Sequence, residues 1–269
     1  MKYILRVNTL YPTLSKSEKK IADYLKKIDN EIIYKTLQEV SKEVDVGEAT
    51  VMRFCKKIGF DGFQNLKLEI AKQNTFSKKP EDEDFTVRIA DNMCNTINET
   101  KQAIDPERIN QAIDMILKAK NVYLFGSGAS GTVALEMQQK FIRYGKLCHF
   151  TTDSHFQLMH AATASSKDLV IAFTLSGSTI DVLEAVTEAK KNNVKVIVVT
   201  NYMLSPVASL ADCLLITCGK ESPLDGGSFA AKLSQLYMSD VLVTGYALKS
   251  KDAKKIKQKS AEAVVIKSV

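Results

Sequence analysis

Val122-Tyr123-Leu124-Phe125-Gly126-Ser127-Gly128-Ala129-Ser130-Gly131 and Leu169-Val170-Ile171-Ala172-Phe173-Thr174-Leu175-Ser176-Gly177-Ser178-Thr179 share one plan. Each is a short apolar run followed by a loop of glycine and hydroxyl residues, after which helical periodicity begins. Apolar runs this short, bounded by glycine, read as strands buried on both faces, hence strands of a parallel sheet. A loop between such a strand and a helix N-terminus carries unpaired N–H groups and about half a positive charge, so it attracts phosphate. Neither loop contains Lys or Arg, so an anion bound there is held by neutral donors.

Working outward, the same alternation continues. Strands are expected at 122–125, 147–150, 169–174, 194–199 and 213–217, with helices near 130–144, 155–163, 179–192, 205–210 and 227–248. The fold class is α/β, a parallel sheet covered by helices, with ligands at the C-terminal ends of the strands. Upstream, Asp105-Pro106 is an N-cap with proline at the first helical position. Ile89, Met93, Ile97 and Ile104 mark an amphipathic connecting helix. Apolar periodicity lapses at Ser77-Lys78-Lys79-Pro80-Glu81-Asp82-Glu83-Asp84, which sets a boundary. The expected organisation is a helical domain over 1–76, a linker and connecting helix over 77–104, and the α/β domain over 105–269. The lysine-rich tail 250–269 reads as an exposed helix.

Residues 1–79 hold 16 Lys and Arg against 10 Asp and Glu, an excess equal to the net charge of +6 of the whole chain. Such a basic segment is the footprint of a nucleic-acid module. Ser15-Lys16-Ser17-Glu18 and Thr36-Leu37-Gln38-Glu39 are capping boxes, each opening a helix. A third helix runs from Glu48 to Ile58 and stops at Gly59; a fourth starts with Phe60, Phe63 and Leu66. Residues 36–58 therefore form a helix, a tight turn at Asp45-Val46-Gly47 and a second helix, a helix-turn-helix. With Val40, Val44, Val46, Val51 and Phe54 inside, Glu48, Ala49, Thr50, Met52, Arg53, Lys56 and Lys57 are left to meet DNA bases and phosphates.

The remaining composition narrows the class. No apolar run approaches the roughly 20 residues of a membrane helix, and charge at Lys2 and Arg6 interrupts any secretory core. Cys55, Cys94, Cys148, Cys213 and Cys218 are scattered and contain no C-x-x-C pair, so they read as reduced packing residues of a cytoplasmic protein. No metal site and no cofactor are expected.

The block Glu48-Ala49-Thr50-Val51-Met52-Arg53-Phe54-Cys55-Lys56-Lys57-Ile58-Gly59-Phe60-Asp61-Gly62-Phe63, with Leu37-Gln38-Glu39-Val40-Ser41 before it, resembles the RpiR-type repressor helix-turn-helix. The family usually has Ser where this chain has Gly47. The two loops resemble the phosphosugar-binding sugar isomerase (SIS) domain, the usual partner of that head. The resemblance implies a three-layer α-β-α domain with a five-stranded parallel sheet. It implies that Ser130 closes the first loop, beside Ser127 and Gly128, and that Thr174, Ser176, Gly177, Ser178 and Thr179 wrap a phosphate. Thr174 stands where the family commonly has Ser, and Ala231-Lys232 where it often has Ser-Arg. Glu221 is placed to meet the sugar.

Two other functions fit parts of the pattern. Gly126-x-Gly128-x-x-Gly131 with Asp153 matches a dinucleotide fingerprint, the mark of an NAD(H)-sensing redox repressor, but such a site has no need of the second loop. A phosphosugar isomerase needs an acid and a base, for which Glu221, His155 and His160 are the candidates. Against both stands a phosphosugar sensor. Three or four hydrogen bonds to phosphate at roughly 1.5–3 kcal/mol each suffice for the roughly 8 kcal/mol of micromolar binding after association costs. The expected protein is a non-enzymatic transcriptional regulator whose partners are operator DNA and a phosphosugar. Because helix-turn-helix proteins read two-fold-related half-sites, it is expected to be a homodimer or homotetramer.

Overall fold

The computed structural model describes residues 3–75, 84–219 and 229–265. Five strands, β1 (Val122–Phe125), β2 (Cys148–Phe150), β3 (Leu169–Phe173), β4 (Lys195–Thr200) and β5 (Cys213–Ile216), pair in parallel in the order β2-β1-β3-β4-β5. Val122 pairs with Cys148 on one side and with Leu169 on the other. The chain leaves β1 towards one edge and β3 towards the other, so the winding direction reverses between these two strands.

The crossovers follow from that reversal. Helix α8 (Gly128–Ile142) joins β1 to β2, and α10 (Ile180–Lys191) joins β3 to β4. Right-handed crossovers in opposite directions put them on opposite faces of the sheet. The cores agree: Val122, Leu124, Leu169, Ile171 and Phe173 pack with Ala134, Met137 and Phe141 of α8. Phe125, Val170, Ala172, Val196 and Val198 pack with Val182, Ala185, Val186 and Ala189 of α10. Helices α7 (Pro106–Lys118) and α11 (Phe229–Lys249) share the α8 face, and α9 (Ser154–Thr163) the other. All five residues of β3 are buried, which explains why its apolar run has no polar alternation. The described chain ends in α12 (Ala253–Val265).

Asp105 caps α7 as expected, accepting from the Glu107 and Arg108 amides. The helix anticipated at 205–210 is a short 3-10 turn, Ala208–Leu210; Pro206 removes one amide donor, and the turn stays too short to propagate. Asp212, just before β5, accepts from Lys190 Nζ, Lys195 Nζ and the Val196 amide at 2.6, 2.9 and 2.9 Å. Burial opposes its ionisation, but these three donors outweigh it and hold the carboxyl below the usual carboxylate range.

The described residues divide into two compact units, one ending at Arg88 and the other beginning at Ile89, within helix α6 (Phe85–Ala103). The N-terminal unit contains α1 (Tyr3–Leu10), α2 (Lys16–Ile28), α3 (Leu37–Val44), α4 (Glu48–Lys57) and α5 (Phe63–Thr75) around one core. Both capping boxes form, at Ser15 with Glu18 and at Thr36 with Glu39. Helix α1 was not expected from sequence: it is short and lacks a capping signal, and the burial of Tyr3 and Val7 against the core is what holds it. Phe60 lies outside α5, partly buried against the core with the Arg6 guanidinium 5.1 Å from its ring centroid.

Lys67 is buried in this unit and donates to the Lys35 carbonyl at 2.8 Å. Burial lowers its pKa from 10.5 to about 8. Below the folded value it is charged in both states and burial penalises the native one. Above that value the native state loses the proton first, while the unfolded chain keeps it until about 10.5. The unfolded state then binds more protons, so stability rises with pH. Urea unfolding of the wild type between pH about 7 and about 9 should show this rise, and Lys67→Met should lose it; parallel curves for the two proteins would refute the assignment.

Candidate functional site

Phe125 pairs with Ala172, so the loops after β1 and β3 start from neighbouring strands about 5 Å apart. They lie where the winding reverses, and at such a point helices diverge to opposite faces and leave a crevice at the strand ends. Both glycine and hydroxyl loops identified in the sequence flank that crevice.

The first loop is held from beneath. The Gly126 amide donates to Gln157 Oε1 at 3.2 Å, and Gln157 Nε2 donates to the Gly126 and Thr151 carbonyls at 2.9 and 3.0 Å. A Cβ on Gly126 would lie 2.9 Å from the Ser130 carbonyl oxygen, so only glycine lets the strand end meet the helix this closely. Ser127 is the N-cap residue of α8 but makes no side-chain capping bond, and no carboxylate occupies the first turn. The helix therefore presents open amides. Gly128 has φ +54° and faces open space. A cleft of about 210 Å³, lined by Gly126, Gly128, Gly131, Thr132, Phe150 and Thr152 among others, adjoins the loop.

The second loop is held from the other side. The Leu175 carbonyl accepts from the Asn201 amide and from Thr200 Oγ1, each at 3.1 Å. The Gly177 carbonyl accepts from the Val207 amide at 3.0 Å. Ser176 Oγ accepts from the Ser178 amide at 3.2 Å, and Ser178 Oγ donates back to the Ser176 carbonyl. Thr179, the N-cap residue of α10, makes no side-chain capping bond. Asp181 in the first turn of α10 would oppose an anion there, so hydroxyls and amides must supply the attraction.

The predicted residues thus separate into two groups. Ser127, Gly128, Ser176, Ser178 and Thr179 retain exposure. Ser130 and Thr174 are buried. Ser130 Oγ donates to Gln235 Oε1 of α11 at 3.0 Å, so the residue that closes the first loop also ties α8 to α11. Thr174 Oγ1 has no hydrogen-bond partner among the described residues, nor has Gln235 Nε2, leaving donor capacity buried close to the loops. Glu221 lies outside the described residues. Asp153 caps α9, with Oδ1 accepting from the His155 and Phe156 amides, which accounts for that carboxylate without a ribose.

Gln157 and Gln235 were missed in the sequence. The available signal was a polar residue on a buried stripe: Gln157 lies four residues before Ala161, and Gln235 four after Ala231, all of them buried. Gln157→Leu removes the acceptor of a buried amide, a loss of about 1–3 kcal/mol. The melting temperature should fall by a few degrees, and isothermal titration should show sugar-phosphate affinity falling about ten-fold; unaltered affinity would exclude Gln157 as a support of the loop.

The second candidate surface lies on α3 and α4. Asp45 takes φ +55°, Val46 N donates to the Ser41 carbonyl at 3.0 Å, and Ser41 Oγ donates to the Val46 carbonyl at 2.5 Å, which closes the turn. Val51, Phe54 and Cys55 are buried, while Glu48, Ala49, Arg53, Lys56 and Lys57 are exposed and Thr50 is half-buried. Gly47 offers no side-chain cap, so the first amides of α4 stay open. Arg53 lies along its own helix, bonded to the Ala49 carbonyl and Thr50 Oγ1. Two of the residues expected to meet DNA also have partners within the unit. Lys57 Nζ is held by Glu18 Oε2 at 2.8 Å and the Thr13 carbonyl at 3.0 Å. Met52 packs against the core beside Gly62, because it follows Val51 by one helical step and lies at the edge of the buried stripe.

Known proteins resemble the whole chain. A model described as the helix-turn-helix domain of the rpiR family matches residues 1–77, and a SIS domain model matches residues 115–245. An HTH-type transcriptional regulator of Haemophilus influenzae is 32% identical over 256 residues, covering 90% of this chain and 88% of the relative. One of Clostridium perfringens is 34% identical over 241 residues, 86% of each chain. Among solved structures, the Vibrio vulnificus NanR protein complexed with ManNAc-6P superposes with a TM-score of 0.93 at 27% identity, covering 99% of both chains.

Proposed function

The chain belongs to the rpiR family of helix-turn-helix transcriptional regulators with a SIS domain, and from that premise we propose a sensor that couples a sugar phosphate in the crevice to operator binding through α3 and α4. The observation that carries the reading is the pair of lysine-free glycine and hydroxyl loops at the ends of adjacent strands β1 and β3. Ser127, Gly128, Ser176, Ser178 and Thr179 supply exposed amides and hydroxyls. Thr174 and Ser130 support them from below, with Gly177 shaping the second loop, and Glu221 is assigned to the sugar end. Arg53 and Lys56, with Thr50 and the open amides of Glu48 and Ala49, meet DNA. Lys57 holds α4 against α2.

The domains are taken as 1–76, 77–104 and 105–269. We assign no catalysis: the relatives bear the names of regulators. Among the described residues no helix is long and apolar enough to cross a membrane. For a protein that acts on DNA we assign the cytoplasm, and a homodimer or homotetramer on paired half-sites. The relative complexed with ManNAc-6P makes amino-sugar phosphates the first effectors to try.

A thermal-shift panel of hexose, amino-sugar and pentose phosphates, with NADH alongside, tests this directly. One sugar phosphate should raise the melting temperature and change operator affinity about 5–150-fold, without itself being turned over. Arg53→Ala should weaken operator binding and leave the thermal shift intact. A shift by NADH alone, or conversion of the sugar phosphate, would overturn the reading.

A further inference from the structure

Bonds from the second loop run across the strand ends to the connecting helix α6, all within the C-terminal unit. Asn201 is the central residue. Its amide donates to the Leu175 carbonyl of the loop at 3.1 Å. Its side chain spans the end of β5: Oδ1 accepts from Thr217 Oγ1 at 2.6 Å, and Nδ2 donates to the Gly219 carbonyl at 2.6 Å. Between these two residues, the Cys218 amide donates to Thr100 Oγ1 at 3.1 Å. Thr100 is fully buried on α6 and its hydroxyl donates back to the Thr96 carbonyl at 2.8 Å.

Thr96 and Thr100 are the buried residues of α6, with Met93 and Ile97 partly buried beside them, so two hydroxyls lie at the centre of the docked face. A hydroxyl that accepts from a strand-end amide fixes both position and rotation, whereas apolar packing tolerates sliding. Replacing the hydroxyl would leave the Cys218 amide without its acceptor, which costs more than the bond itself contributes.

We propose that Asn201 and Thr100 are positioning residues for the response: they pass a change in the 174–179 loop to α6, the segment leading to the DNA-binding unit. The inference rests on the proposed sensor function. Physical contiguity makes a relay possible, and measured coupling decides whether it operates.

The test uses the full chain, inorganic phosphate, and the sugar phosphate with the largest shift in the panel above. For wild type, Thr100→Val, Thr100→Ser and Asn201→Asp, fluorescence anisotropy gives operator affinity with and without sugar phosphate, and calorimetry gives sugar-phosphate affinity. Thr100→Val keeps the shape and loses the acceptor; Thr100→Ser keeps the hydroxyl. Thr100→Val should reduce the sugar-dependent change in operator affinity about five-fold or more, within the usual range of such couplings, with sugar-phosphate affinity held within about three-fold. Thr100→Ser should restore the response. Asn201→Asp, which keeps the acceptor for Thr217 but loses the donor to Gly219, should weaken it as well. Inorganic phosphate, which fills the loop without the sugar, should show the same loss of any response it evokes. A Thr100→Val protein with full coupling overturns the relay and leaves the sensor intact. A wild type that answers to no sugar phosphate overturns the sensor, and the relay with it.

Discussion

Gly177→Ala is expected to abolish the sugar-phosphate response while operator binding survives. Gly177 has φ +63°, and a Cβ built there would stand 1.9 Å from Ser205 Oγ and 2.3 Å from its Cβ. Left-handed backbone costs a non-glycine residue roughly 1–2 kcal/mol. The overlap adds to this, and it cannot be relieved in place, because the Val207 amide bonds the Gly177 carbonyl at 3.0 Å and keeps the Ser205 turn against the loop. The loop must therefore move, taking Ser176, Ser178 and Thr179 with it. Sugar-phosphate affinity should fall about 100-fold or more. Gly128→Ala is the control: its φ of +54° is strained, but nothing lies within 4 Å of the new methyl, so its loss should be smaller. Adding Ser205→Gly to Gly177→Ala should recover part of the affinity. Calorimetry showing wild-type affinity for Gly177→Ala would remove the second loop from the site.

The second large effect is predicted for Phe54→Ala. Phe54 is fully buried in the core of the N-terminal unit, with Val51 and Cys55 beside it on the inner face of α4. Removing a buried phenylalanine costs about 3–5 kcal/mol, against total stabilities of about 5–15 kcal/mol. Circular dichroism should show lost helix, and anisotropy should show lost operator binding. The sugar-phosphate thermal shift of the other unit should remain. Arg53→Ala, one residue away but exposed, should lose DNA affinity with its helix content intact. Native-like helix in Phe54→Ala would contradict the core assignment.

Much of this was legible in the chain. The strands at 122–125 and 169–173 could be read because a strand covered on both faces must be apolar at every position. Both capping boxes could be read because their hydrogen bonds involve residues three apart. Local patterns fall short where long-range packing decides. Helix α1 is short, with Pro12 after it as its one local signal, and is held by the burial of Tyr3 and Val7. Lys57 is paired with Glu18, 39 residues earlier, a partner that no local pattern indicates. Met52 sits at the edge of a buried stripe, where periodicity alone does not separate core from surface.

Sequence by itself determined the order of strands and helices, the position of both glycine and hydroxyl loops and the chemistry they offer, since each depends on neighbours within a few residues. Tertiary structure alone decided that the two loops begin on adjacent strands, that Ser130 turns to Gln235, and that Gln157 and Asn201 hold the loops in place. Those contacts, from Ser130 to Gln235, Gln157 to Gly126 and Asn201 to Leu175, join residues 26 to 105 positions apart, and their geometry is set by which strands pair and which face each helix covers, which no local pattern encodes.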